Sequence, residues 1–93
     1  MSPEEELQRA AEAEEILGRT LFKEAVSEVE NAILEGIKRS PIKDGEFREK
    51  LCQQYIQLHA VLGQLRTYME TGKLASATLR ERAERLARNL VKF

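Results

Sequence analysis

Cys52 and His59 are the single cysteine and the single histidine of this sequence. A thiolate and an imidazole together could hold zinc or form a nucleophile–base pair. Their spacing argues against both. Seven residues is two helical turns, about 10 Å along an axis, and the i,i+4 spacing by which one helix chelates a metal is missing. His59 reads better as a half-buried packing residue. Carboxylates are plentiful, at Glu4–Glu6 and at Glu12, Glu14 and Glu15. General acid–base work needs such groups in a desolvated cleft, and nothing around these six encloses them. Gly18, Gly36, Gly45, Gly63 and Gly72 are scattered, so no glycine-rich loop cradles a phosphate. No catalytic residue, metal ligand or cofactor site is expected, and the chain is not expected to be an enzyme.

Two basic groups could make contacts of another kind. Lys38, Arg39 and Lys43 surround a turn but have no aromatic neighbour on which a base would stack. Arg80, Arg82, Arg85 and Arg88 are stronger candidates for anion contact, against phosphates or an acidic partner. Glu81 and Glu84 lie among them and neutralise part of that charge.

The elements that must position these residues are helical. Ser2-Pro3-Glu4-Glu5 has the form of a capping box, opening an acidic helix over 3–17. Gly18-Arg19-Thr20 predicts a break. Phe22, Val26, Val29, Ile33 and Ile37 then recur at helical spacing and predict a helix over 20–39, stopped where Pro41 restricts Ser40. Asp44 suits the N-cap of the next helix, over 45–71, with the stripe Phe47, Leu51, Tyr55, Leu58, Leu62, Leu65 and Met69. Gly72 suits a left-handed position that would end it. Thr78 and Glu81 form a second capping-box pattern, predicting a separate Arg-rich helix over 78–92 with the stripe Leu79, Ala83, Leu86, Leu90 and Phe93. The expected fold is all-α: one domain over 1–93, an antiparallel helical hairpin with additional N-terminal and C-terminal helices.

Composition agrees with that class. The chain has 93 residues, 42% hydrophobic and 33% charged, which suits a folded helical domain near the lower limit for a self-sufficient core. No apolar run approaches the roughly 20 residues that span a bilayer, so no membrane partner is expected. The acidic start is unlike a secretory signal, and a lone cysteine fits a reducing compartment. The net charge of −1 is unevenly distributed. Residues 1–35 carry ten acids and three bases, whereas residues 66–93 carry three acids and seven bases. Such polarity favours packing of opposite ends, within one chain or between chains.

Partners are expected because the long helix has a second stripe, Cys52, Ile56, His59 and Gly63, beside its first. Gly63 costs about 1 kcal/mol relative to alanine in mid-helix, which close approach of another backbone would offset. The expected partner-binding residues are Ile56, His59, Gly63, Leu79, Leu86, Leu90 and Phe93, and the expected state is a homo-oligomer.

Three stretches carry a resemblance: "LGRTLFKEAVSEVENAILEGIKRSP", "KDGEFREKL" and "METGKLA", covering residues 16–75. Their order and turn signals are similar to those of a family of small helical proteins of tailed bacteriophages, encoded near head and portal genes. The sequence departs from that pattern at Cys52, Gln53 and Gln54, where larger apolar residues would be usual. The resemblance implies a virion-structural or head-assembly role, in the virion or the bacterial host cytoplasm, with contacts to itself and to a capsid or portal protein. It supplies no catalytic residues. The alternative is a small regulator that binds nucleic acid or a host protein through its Arg-rich end.

Overall fold

The computed structural model describes residues 1–91. They form three helices and no strand: α1 (Pro3–Gly18), α2 (Thr20–Arg39) and α3 (Gly45–Val91). The chain divides into two compact units, one of residues 1–15 with the chain from Leu65 onward, the other of residues 16–64.

Local chemistry accounts for the starts of α1 and α3 and for the turn between α2 and α3. The Glu5 amide donates to Ser2 Oγ at 3.2 Å. Ser2 Oγ in turn donates to the Glu5 carboxylate at 3.1 Å, so the box closes through the two side chains. Glu4, Glu5 and Glu6 occupy the first turn, where negative charge suits the helix dipole. The α1–α2 break falls on Arg19, whose backbone is extended (φ −71°, ψ 131°) and whose side chain makes no capping hydrogen bond. At the end of α2, Ser40 is likewise extended, and its hydroxyl donates to the Ile37 carbonyl at 2.7 Å. The Phe47 amide donates to Asp44 Oδ1 at 3.1 Å, the N-cap bond of α3.

The long helix corrects the expected division into helices over 45–71 and 78–92. α3 continues from Gly45 to Val91 without interruption. No glycine has positive φ, so Gly72 is no left-handed terminator. Thr71 Oγ1 donates to the Thr67 carbonyl at 3.0 Å and Thr78 Oγ1 to the Leu74 carbonyl at 3.1 Å. Hydroxyls bonded to the carbonyl four residues back belong inside helices, so Thr78 is not an N-cap and forms no capping box with Glu81. The physical reason for Gly72 is α1. A Cβ built at Gly72 would collide with Ala10 Cβ, and the Glu6 carbonyl lies 3.7 Å from that point. Glycine here lets two helices approach closely; it does not end one.

In the unit of residues 16–64, Gly36 faces Leu51 and Glu30 faces His59, pairings that run in opposite chain order. Ile33 and Leu62 are buried. In the other unit, Ala13 and Ala75 are buried. The core is thin. Among the described residues it comprises these four side chains, two of them alanines. Phe47 and Val29, assigned to interior stripes by their spacing, are 45% and 49% exposed.

Candidate interaction surfaces

An apolar groove of about 590 Å³ runs between α2 and α3 within residues 16–64. Val29 and Ile33 line it from α2, and Leu51, Leu58 and Val61 line it from α3. Among the described residues no charged side chain contributes; Gln54 and Gln57 are its polar members. Helical spacing places these residues on facing stripes, but none of them fills the space between the stripes. Val61 remains 62% exposed. Sequence reasoning missed the groove because residue spacing identifies a stripe without showing how deeply it is covered.

His59 sits beside that groove in a polar cluster. Its Nε2 lies 3.5 Å from Glu30 Oε2, close enough for ionic attraction when the imidazole is charged. The nitrogen is nonetheless buried without a hydrogen bond, because proximity is not matched by alignment. The His59 ring packs on Tyr55 with centroids 4.4 Å apart. His59 therefore faces α2, whereas Ile56 is 64% exposed and Cys52 is exposed. The expected second stripe is divided: His59 does not share an outward surface with Ile56. At Gly63 a built Cβ meets no heavy atom within 4 Å, so the expected close approach of another backbone is not met within the chain. Among the described residues, no group of three or more His, Cys, Asp or Glu side chains is placed to hold a metal ion.

A second groove, of about 330 Å³, lies between α1 and α3 in the unit that contains Gly72. Leu7, Ala10 and Ala11 line it from α1, and Met69, Gly72 and Ser76 from α3, with Glu14 and Lys73 also contributing. In the same unit the Arg9 guanidinium lies 4.1 Å above the Tyr68 ring. That cation–π contact occupies a side chain whose buried Nε has no hydrogen bond.

Beyond Leu79, α3 is open. Every residue from Arg80 to Leu90 is exposed, with Leu86 at 65% and Leu90 at 75%. The anion-contact candidates Arg80, Arg82, Arg85 and Arg88 all lie here; Arg88 Nη2 is 3.8 Å from Glu84 Oε2. Leu79 itself is half-buried, and Phe93 falls outside the described residues.

Sequence reading also missed Arg48. Its Nη1 donates to Ser40 Oγ at 3.1 Å and to the Pro41 carbonyl at 3.0 Å, and its Nη2 donates to the Ile42 carbonyl at 3.3 Å. One guanidinium on the first turns of α3 thus ties down the link from α2. An arginine four residues after an N-cap aspartate was the available signal.

These features describe an all-α chain with apolar grooves and an exposed basic end. No family model, curated protein or solved structure matches it. Among the described residues no helix is long and apolar enough to cross a membrane.

Proposed function

We propose that this chain is a small non-enzymatic assembly protein. It acts by burying apolar helix faces against copies of itself and against a larger virion protein. Residues 20–39 and the first half of α3 serve as an antiparallel helical hairpin that presents the Val29–Val61 groove. The phage setting, in the virion or the host cytoplasm, rests on the resemblance across residues 16–75.

One observation carries the reading: apolar side chains are left uncovered. Leu21, Ile56, Val61, Leu74, Leu86 and Leu90 are each more than 60% exposed, against four buried hydrophobics among the described residues.

Sedimentation equilibrium over a concentration series tests this. Self-association that persists at high salt is the expected result, since apolar packing is little screened. A monomer at every concentration would contradict the self-assembly part of the reading. The exposed arginines favour a second reading, a small regulator that binds nucleic acid through Arg80–Arg88. Phosphate contacts weaken steeply with salt, so a salt-sensitive gel shift by a monomer would favour it.

A further inference from the structure

Resting on the self-assembly reading above, we propose that the end of α3, from Arg80 onward, docks in the α1–α3 groove of a second copy. The groove residues are Leu7, Ala11, Met69 and Gly72. The docking segment supplies Leu86 and Leu90, with Arg82, Arg85 and Arg88 beside them.

The first support is where α1 stops covering α3. Ala10 of α1 sits at Gly72, and the groove that α1 makes with α3 reaches no further along α3 than Ser76. Coverage follows that limit: Ala75 is buried, Leu79 is half-buried, and residues 80–90 are all exposed. The apolar stripe of α3 thus outruns the helix that packs on it.

The second support is continuity. Because α3 is unbroken from Gly45 to Val91, its end cannot fold back onto Met69, Gly72 and Ser76 of the same helix. A complementary surface on this chain is reachable only from another copy.

The third support is charge. Helix α1 carries six glutamates and one arginine, whereas residues 80–91 carry four arginines and two glutamates. Glu4 and Glu14 fall on the helical face of Leu7 and Ala11, at the spacings 4, 7, 11 and 14 that share one side of a helix. Both are exposed, and Glu14 lines the groove. Lys73 also lines it but lies 3.2 Å from Glu70, which offsets its charge. Small residues, Ala10, Ala11, Gly72 and Ser76, keep the groove shallow enough for a third helix to approach. Since each copy has both the groove and the docking segment, a two-fold arrangement uses both twice and closes.

The test uses the full chain. Leu86→Asp/Leu90→Asp should weaken the dimer at least about a hundredfold, the loss of two buried leucines. Its far-ultraviolet circular dichroism should be unchanged, since both side chains are exposed in the single chain. Arg85→Glu/Arg88→Glu should weaken the dimer about tenfold, and adding Glu4→Arg/Glu14→Arg should restore it. A dimer unaffected by Leu86→Asp/Leu90→Asp would overturn this docking while leaving self-assembly through another surface in place. Charge reversal without rescue would overturn the acidic groove as the recipient. A wild-type chain that stays monomeric at about 200 µM would overturn both this docking and self-assembly.

Discussion

Two helical glycines with different surroundings should respond oppositely to one added methyl. Gly63→Ala should stabilise the single chain by about 0.5–1 kcal/mol, because the methyl meets no atom within 4 Å and alanine favours helix. Gly72→Ala should destabilise by about 1–3 kcal/mol despite the same propensity gain, because its methyl collides with Ala10. Urea unfolding of both variants checks the opposite signs. Neither role can be read from "LGQ" or "TGK", since each depends on whether another helix passes there. Arg48 gives a third case. Removing its three hydrogen bonds in Arg48→Ala should cost about 1–2 kcal/mol, and amide exchange should quicken at Asp44, whose amide donates to the Pro41 carbonyl.

At the scale of elements, starts and stops were legible where one side chain sets them. Ser2, the Ser40-Pro41 stop and the Asp44 cap act within three or four residues, so the sequence contains the whole cause. The false boundary at Gly72 arose because glycine serves both helix ends and close packing, and the deciding residue, Ala10, is 62 positions away. The loss of that boundary has a direct check. Ala77→Pro alters an exposed position, so a link over 72–77 would tolerate it. Within a continuous helix it should cost about 3 kcal/mol or more, roughly a 12–25 °C fall in Tm for a chain of this size. Thermal melts followed by circular dichroism read the difference. The candidate surfaces were legible only in part: the Leu79–Leu90 stripe and a half-buried His59 were visible in the sequence, whereas the Val29–Val61 groove required the neighbouring helix.

For the whole molecule, the sparse core makes the concentration dependence of stability a test of the proposed self-assembly. If copies cover one another's apolar faces, Tm should rise as protein concentration rises, whereas a self-sufficient monomer would melt at a fixed temperature. Calorimetry at several concentrations tells these apart. The uninterrupted α3 has a consequence for cutting the chain. The division between the compact units, at Gln64–Leu65, falls inside one hydrogen-bonded ladder. A chain severed there would leave up to four amides on one fragment and four carbonyls on the other without their partners. Split versions that reassemble are therefore expected from a cut in the short link around Ile42, which leaves every helix whole, and not from a cut between Gln64 and Leu65.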